Sequence, residues 1–142
     1  STLSKVVHCL IAHQLGKLKI SWWWFMEALE SDIYDTQGGT TPEGIHGGVM
    51  GGTVDIVMRG FAGVDILEDR IRIDPHIPPH WRSVKFRFCY NRRWIHLSIT
   101  PKQVVVLFEG PTRCLPLPVE VRGRLYCPHL KKPLRVSLKK HY

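Results

Sequence analysis

The sequence has no run of about 18 uncharged apolar residues, which is the length that a membrane-spanning helix requires. It also has no basic start followed by an apolar stretch and a small-residue cleavage site, the pattern of a secretory signal. The first residue is Ser1 rather than Met. From these absences we expect a cytoplasmic protein without a membrane partner, and a piece cut from a longer polypeptide.

Cysteine is scarce and shows no metal-ligand spacing. The four cysteines are Cys9, Cys89, Cys114 and Cys127, and no two of them form a C-x-x-C pair. A structural zinc site needs paired ligands at short spacing, so we expect no metal. Free thiols, the usual state in a cytosolic protein, are predicted instead.

Acidic residues are missing from the C-terminal end. Residues 121–142 contain no Asp or Glu but seven basic residues: Arg122, Arg124, Lys131, Lys132, Arg135, Lys139 and Lys140. The other 13 of the 20 Lys and Arg residues nearly balance the 12 Asp and Glu residues. We favour a solubilising basic tail and keep nucleic-acid binding as the alternative. DNA binding that is lost when the chain is truncated at residue 120 would support this alternative.

Three segments have the apolar periodicity of helices, namely residues 3–15, 20–35 and 47–60. The apolar face of the first contains Leu3, Val6, Val7, Leu10 and Ile11. That of the second contains Trp22, Phe25, Met26, Leu29 and Ile33. Trp23 and Trp24 widen the second face until it requires cover on more than one side.

Two carboxylates, Asp32 and Asp35, share a face near the end of the second segment. We interpret them as residues of a solvated surface rather than as a catalytic pair.

The third segment is rich in glycine. Gly47, Gly48, Gly51 and Gly52 each cost a helix about 1 kcal/mol relative to alanine. Such a cluster at a helix start indicates a close approach, either by another helix or by a ligand. The preceding residues, 37–48, have the composition of a loop.

After Gly63 the apolar pattern changes to a period of two, which is typical of strands. Strands are predicted at residues 64–67, 70–73, 83–90, 94–99 and 103–108, with a two-residue turn at Asn91-Arg92. Prolines favour edge positions for the later segments, 115–121, 123–127 and 134–138. Helices followed by strands predict an α+β chain with domains 1–62 and 63–142.

One stretch carries a family resemblance. The run GGTTPEGIHGGVMGGTVDIVMRGFAGV, residues 38–64, resembles a signature near the end of the helical barrel in glycoside hydrolase family 65. Residues 1–8 are similar to the family's Ser-Ser/Thr-Leu-Ser helix start, and residues 73–100 to the first hairpin of its C-terminal β-domain. The resemblance covers residues 1 to about 108 and leaves the basic tail outside it.

The glycine-rich segment departs from the family pattern. Where the family usually has His-Leu-Gly-Ala-Met-Ala-Gly-Thr, residues 46–53 have the sequence HGGVMGGT. Gly47 therefore stands in place of Leu, and Gly51 in place of Ala.

The resemblance implies the closing helices of an (α/α)6 barrel, followed by a small antiparallel β-sandwich. Members of the family cleave the α-glucosidic bond of disaccharides such as trehalose, maltose or kojibiose with inversion, by phosphorolysis or hydrolysis. The implied ligands are the disaccharide and inorganic phosphate as a possible co-substrate, with no other cofactor. The family's general acid lies upstream of Ser1, so no catalytic residue is expected here and the isolated chain should be inactive.

The same resemblance implies a phosphate pocket at Ser1, Thr2 and His46, with Gly47 exposing its backbone amide. Physical chemistry agrees, because an anion needs several converging donors. Hydroxyls at a helix start, the free N–H groups of its first turn and an imidazole supply them. On the residues alone, capping or packing is the ordinary interpretation of His46, and capping that of Glu43.

Two alternatives to an enzyme fragment remain. One is a basic module that contacts nucleic acid or a partner chain. The other is a structural β-module that packs against a barrel made by another chain, which would leave Trp22, Trp23 and Trp24 exposed. Burying one such ring is worth about 2–3 kcal/mol, so we predict self-association or association with a barrel chain.

Overall fold

A computed structural model describes residues 2–34, 44–111 and 116–138. They belong to two compact units, Ser1–Phe61 and Ala62–Tyr142. The first unit contains helices and the second contains strands, so the α+β class is confirmed. None of the described helices is long and apolar enough to cross a membrane.

In the helical unit, residues 2–34 and 44–61 form three α-helices: α1 (Thr2–Gln14), α2 (Leu18–Leu29) and α3 (Gly47–Asp55). Helix α1 ends at Gln14 and is followed by Gly16, where φ is +70° and the glycine N–H donates to the His13 carbonyl at 2.9 Å. Helix α2 ends at Leu29 rather than at residue 35, and turns follow it. The predicted third helix continues beyond α3 as a π-helical segment, Ile56–Phe61.

The buried face of α1 differs from the predicted apolar face. Lys5, Cys9 and Ala12 are buried against the rest of the unit. Lys5 Nζ lies 3.2 Å from the Glu27 carboxylate of α2, and the Cys9 thiol donates to the Ser21 carbonyl at 3.1 Å. The side chains on the outer face of α1, called the α1 stripe below, are exposed: Leu3, Val7, Ile11 and Leu15.

The predicted face of three exposed tryptophans is wrong for two of them. The Trp22 ring packs against Phe25 and Phe61, with ring centroids 5.3 and 6.0 Å away. Trp24 is half-buried and its ring lies 4.7 Å from that of His8. Of these three tryptophans, Trp23 is the exposed one, with 53% of its surface accessible to solvent.

The glycines of α3 allow close packing against α1. A Cβ added to Gly48 would lie 3.0 Å from Leu3 Cδ2, and one added to Gly52 would lie 2.6 Å from Val6 Cγ2. Both neighbours are side chains of α1, in the same order along each helix. The two helices therefore run in the same direction, and their N-terminal ends are neighbours.

The described residues of the second unit form eight strands: β1 (Val64–Ile66), β2 (Ile71–Ile73), β3 (Val84–Tyr90), β4 (Arg93–Ile99), β5 (Gln103–Glu109), β6 (Val119–Val121), β7 (Arg124–Tyr126) and β8 (Leu134–Ser137). They form two four-stranded sheets, in the orders β1-β2-β6-β7 and β3-β4-β5-β8. A single hydrophobic core draws buried side chains from both sheets, for example Ile71 and Val119 from the first and Ile95 and Val106 from the second. This is the predicted sandwich.

Two details of the sheets differ from the prediction. Strands β2 and β6 pair in parallel, with Ile71 opposite Val119, so the first sheet is mixed rather than purely antiparallel. Strand β6 is also internal, between β2 and β7, although the prolines before it predicted an edge. The carbonyl of Pro118 accepts the Ile71 N–H at 3.0 Å. Proline can make this bond because it lacks only the backbone N–H and keeps its carbonyl acceptor.

The turn of the β3–β4 hairpin is confirmed. Asn91 and Arg92 have φ values of +49° and +60°, which fits a two-residue turn whose twist matches that of the strands. At Gly63 the φ is +64°, and a Cβ there would overlap the Asp74 carbonyl, so this position accepts only glycine.

The basic C-terminal segment is part of the sandwich rather than a tail. Strands β6 and β7 belong to the first sheet and β8 to the second. Val121, Val136 and Leu138 are buried in the core, and the Arg122 guanidinium donates to the Leu138 carbonyl at 3.1 Å. Residues 139–142 lie outside the described part of the chain.

Candidate functional site

His46 and Asp32 form a two-point contact at the start of α3. The His46 backbone N–H donates to Asp32 Oδ2 at 2.8 Å, and His46 Nδ1 lies 2.7 Å from Asp32 Oδ1. The Asp32 side chain is 9% exposed and that of His46 is 27% exposed. Both carboxylate oxygens therefore serve one residue, and they fix its backbone and its ring together.

The contact sets the protonation of the pair. The pKa of Asp32 lies below its ordinary value, mainly because its side chain accepts a hydrogen bond from the His46 ring; burial opposes this effect, and the hydrogen bond from the His46 backbone N–H adds to the lowering. An ionised carboxylate only accepts hydrogen bonds, so Nδ1 of His46 carries a proton. Asp32 therefore occupies the Nδ1 side of the imidazole.

Turns after α2 bring Asp32 to this position. The Ser31 hydroxyl donates to the Ala28 carbonyl at 2.8 Å, and the N–H groups of Ile33 and Tyr34 both donate to the Glu30 carbonyl. These bonds redirect the chain at the end of α2. Asp32 consequently points at the residue before α3 rather than into solvent, so its interpretation as a solvated surface residue is wrong.

His46 occupies the N-cap position of α3, but its side chain makes no capping hydrogen bond within that helix. Its carbonyl accepts the first intrahelical bonds, from the N–H groups of Val49 and Met50 at 2.9 and 3.1 Å. The capping interpretation is therefore right for the backbone of His46 and wrong for its ring. The ring is held from outside the helix, by Asp32.

Two helix N-termini meet beside His46. The close approach of Gly48 to Leu3 places the first turn of α3 next to the first turn of α1. The first N–H groups of a helix have no intrahelical acceptor, and the helix dipole makes this end partly positive. The neighbourhood of His46 thus combines two positive helix ends with an imidazole.

The other predicted site residues are described unevenly. Ser1 and Glu43 lie outside the described residues. Thr2 begins α1, but only its backbone is described. Gly47 is the first residue of α3, and within the described part of the chain its Cβ position has no atom within 4 Å apart from its own helix and chain neighbours. The assignment of Ser1, Thr2, His46 and Gly47 to a phosphate pocket stays a prediction, as does the capping role of Glu43.

Sequence reasoning missed Asp32 as a partner of His46. The two residues are 14 positions apart, and the intervening loop gives no periodicity that would place them together. The carboxylate itself was visible, since it follows an apolar helical stripe near a family-like motif. What the sequence did not reveal was the early end of α2, which frees Asp32 from the helix.

Family models match both units of the chain. The model described as "Glycosyl hydrolase family 65 central catalytic domain" matches residues 1–55. The model described as "Glycosyl hydrolase family 65, C-terminal domain" matches residues 64–126. The second match extends past residue 108, so the predicted limit of the resemblance was wrong and strands β6 and β7 belong to the family domain.

Individual relatives agree with these models. The chain is 36% identical over 132 residues to an uncharacterized glycosyl hydrolase of Mycobacterium tuberculosis, covering 91% of the chain and 10% of that protein. It is 35% identical over 138 residues to an alpha,alpha-trehalose phosphorylase of Geobacillus stearothermophilus, covering 96% of the chain and 17% of the relative. A trehalose 6-phosphate phosphorylase of Lactococcus lactis is 35% identical over 106 residues, 75% of the chain and 14% of the relative.

A solved structure has the same fold. A putative kojibiose phosphorylase from the human microbiome superimposes with a TM-score of 0.80 over 100% of this chain, at 23% sequence identity, and the match takes up 20% of its own length. The chain thus spans between a tenth and a fifth of the proteins it matches. These matches lend no support to a nucleic-acid-binding or other basic module. With both units matched by models of one family, and with relatives above 30% identity over most of its length, the chain belongs to glycosyl hydrolase family 65.

Proposed function

We propose that this chain is the C-terminal portion of an inverting phosphorylase of an α-linked glucose disaccharide, and that its helical unit supplies part of the phosphate pocket. The relatives named above as phosphorylases support the reaction class. The single observation that carries the pocket is the His46–Asp32 contact at the start of α3, next to the start of α1.

An anion fits this position better than a neutral ligand does. The first-turn N–H groups of α1 and α3 and the ring of His46 are donors of neighbouring elements, and such groups suit an anion. Among the described residues, no atom beyond its own helix and chain neighbours lies within 4 Å of the Cβ position of Gly47, which leaves space at the start of α3. A tetrahedral phosphate has enough acceptor oxygens to use donors from both helices, with the hydroxyls of Ser1 and Thr2 completing the set.

Phosphate is favoured over water as the nucleophile. Inverting hydrolysis requires a carboxylate base that removes a proton from water on the face opposite the leaving group. Both oxygens of Asp32 are engaged by His46 and the pKa of Asp32 is lowered, so Asp32 is a poor base. Phosphate arrives already ionised and needs donors that orient it rather than a base.

The reaction follows from this role. A phosphate oxygen attacks the anomeric carbon from the face opposite the glycosidic oxygen, and the bond between that carbon and the glycosidic oxygen breaks. An acid elsewhere in the catalytic domain protonates the departing sugar, and the products are β-glucose 1-phosphate and the second sugar. That acid and the sugar-binding surface belong to the remainder of an (α/α)6 barrel, so we expect the 142-residue chain to release no glucose 1-phosphate from trehalose, maltose or kojibiose.

Phosphate binding by the chain tests the proposal without turnover. Thermal unfolding is followed in phosphate and in chloride at equal ionic strength, for the wild type, His46→Ala and the control His129→Ala. His129 is an exposed residue of the β unit. A ligand that binds the folded state raises its stability, so phosphate should stabilise the wild type and the control but not His46→Ala. Equal stabilisation of all three proteins would overturn the assignment of the pocket to His46.

A further inference from the structure

The outer face of the sheet β3-β4-β5-β8 carries an open groove of about 610 Å³. The groove is lined chiefly by side chains that alternate along the strands with the core residues. The pairing of the strands places four of these side chains in one row across the sheet: Lys85, Ser98, Val105 and Arg135. The row begins and ends with a cation, one on each outer strand of the sheet.

The charge of the groove is positive. Lys85 of β3 and Arg135 of β8 are exposed, and no ion pair joins either of them to another described residue. Arg87 adds a third cation on the β3 side. Glu109 is the one acid in the four described strands of this sheet, and its carboxylate lies 3.0 Å from His96 Nε2. A ligand with negative charge on both flanks therefore complements the groove.

The floor between the cations is apolar, and its width suits a helix. Val105 and Leu107 of β5 are half-buried on this face, and Pro133 lines the groove before β8. Neighbouring strands lie about 4.8 Å apart, so three spacings separate the backbones of β3 and β8 by about 14 Å. An α-helix with its side chains is about 10–12 Å across. One helix therefore fits between the two cationic strands, with an apolar face on the floor.

Ligands that stack on aromatic rings fit this groove less well. Nucleic-acid bases pack on open aromatic side chains, and sugar rings use the same apolar ring faces. The indole of this face belongs to Trp94, and the Arg87 guanidinium lies over it, 5.0 Å from the ring centroid. The ring is thus already engaged in a cation–π contact, which also fixes Arg87 on the β3 side. A polypeptide that carries carboxylates needs no stacking platform.

We propose that this groove is a docking site for an amphipathic helix of a partner protein, with acidic residues on both flanks of its apolar stripe. Carboxylates of one flank pair with Lys85 and Arg87, and those of the other flank pair with Arg135. The apolar stripe covers Val105 and Leu107. Recognition of this kind combines burial of apolar surface with charges that set the orientation of the helix. The inference concerns the β unit by itself and goes beyond the proposed function.

Three synthetic peptides of about 20 residues, about 30 Å long as helices, test the fit. The first has a leucine stripe flanked by glutamates, and the second has the same stripe flanked by lysines. The third has the composition of the first in an order that breaks the stripe. Binding to the 142-residue chain is followed by fluorescence anisotropy at physiological salt.

We expect the glutamate-flanked peptide to bind at least about tenfold more tightly than either of the other two. No binding of this peptide, or equal binding of the lysine-flanked peptide, overturns the inference. Equal binding of the peptide without a stripe overturns it as well, because the groove would then respond to negative charge alone. Random single-stranded DNA that binds more tightly than the glutamate-flanked peptide at the same salt would assign the groove to nucleic acid instead.

Charge reversal assigns the binding to this groove. Lys85→Glu/Arg135→Glu reverses a cation on each side, and it should weaken binding of the glutamate-flanked peptide at least about tenfold. The matched control Lys19→Glu/Arg124→Glu reverses two exposed cations that lie outside this face, and it should leave the affinity unchanged. Affinities that change equally in the two double variants, or in neither, contradict the proposed site.

NMR of the wild type decides the site if the groove variant does not fold. Addition of the glutamate-flanked peptide should shift the backbone amide signals of β3, β4, β5 and β8. The signals of the sheet β1-β2-β6-β7 should stay in place. Shifts confined to that sheet or to the helical unit would overturn the inference.

Discussion

Gly52 of α3 and Val6 of α1 lie so close that a single methyl group would not fit between them. A Cβ on Gly52 would stand 2.6, 2.9 and 3.2 Å from the Cγ2, Cγ1 and Cβ atoms of Val6. Valine is stiff at χ1 and has no flexible end that could move away. The glycine therefore sets the distance between the two helices whose starts frame the candidate site.

Gly52→Ala should destabilise the helical unit by about 1–3 kcal/mol through overpacking. Gly51→Ala is the matched control, because nothing lies within 4 Å of its Cβ position. It should stabilise the same helix by about 0.5–1 kcal/mol. Urea unfolding followed by circular dichroism measures both, and equal effects of the two substitutions would show that helix packing does not distinguish them.

Acid should weaken the contact between Asp32 and His46. The pKa of Asp32 is lower in the folded chain than its ordinary value of 3.8, so the unfolded chain binds that proton more tightly. The stabilisation is complete above about pH 4 and is lost as the pH falls through the lower folded value. The stability difference between the wild type and Asp32→Asn should therefore stay constant from about pH 6 to about pH 4 and shrink between about pH 4 and about pH 2, measured by urea unfolding. A difference that stays constant over this range would contradict the direction of the pKa shift.

The α1 stripe should drive self-association of the chain. Val7 and Ile11 are 54% and 48% exposed, and each apolar side chain that becomes buried contributes about 1.5–3 kcal/mol. The apparent mass from light scattering should rise with concentration and should fall in the double variant Val7→Lys/Ile11→Lys. The matched control is Ile66→Lys, which removes a side chain of 48% exposure from the β unit. A wild-type chain that stays monomeric at high concentration would show that the α1 stripe does not drive self-association.

Cys9 should report on the folding of the helical unit. Burial raises the pKa of its thiol, which outweighs the opposite effect of its contact with Ser21. Cys89 and Cys127 are exposed free thiols. Alkylation followed by peptide mass spectrometry should label Cys9 more slowly than Cys89 in buffer and equally fast in urea, since Cys9 is buried and Cys89 is exposed. Equal rates in buffer would mean that the packing of α1 against α2 is not maintained.

The regular parts of the β unit could be predicted from the sequence because their signals are local. Alternation of side chains defined β3, β4 and β5, and the turn at Asn91-Arg92 follows directly from their spacing. The parallel pairing of β2 with β6 could not be predicted in this way. It joins segments almost 50 residues apart, and no short-range pattern distinguishes a parallel partner from an antiparallel one.

The sequence predicted where the helices lie along the chain, but not which face of α1 is buried. Helix α1 is apolar on its outer side as well, so periodicity favoured Leu3, Val7 and Ile11 as buried residues, whereas Lys5 and Cys9 are buried. A lysine is buried only when a charged partner compensates it, and for Lys5 that partner is Glu27, which is distant in the sequence. The same limitation hid the contact between Asp32 and His46.

The departures from the family pattern become intelligible in the packing. Gly48 and Gly52, which the family shares, are the two glycines of α3 in close contact with α1. Gly47 and Gly51, which replace Leu and Ala, have open space at their Cβ positions. Gly48 and Gly52 are therefore required by the close packing of α3 against α1. Gly47 and Gly51 lie where a side chain would meet no described neighbour.

The placing of the last strands changes how the positive charge of this chain should be studied. Cutting at residue 120 would sever β6 and remove β7 from one sheet and β8 from the other, so lost binding after such a cut would report a collapsed sandwich rather than a missing cationic contact. Exchanging exposed Lys131 and Lys132 for glutamine leaves every strand in place. The charge can then be varied while the architecture is held constant.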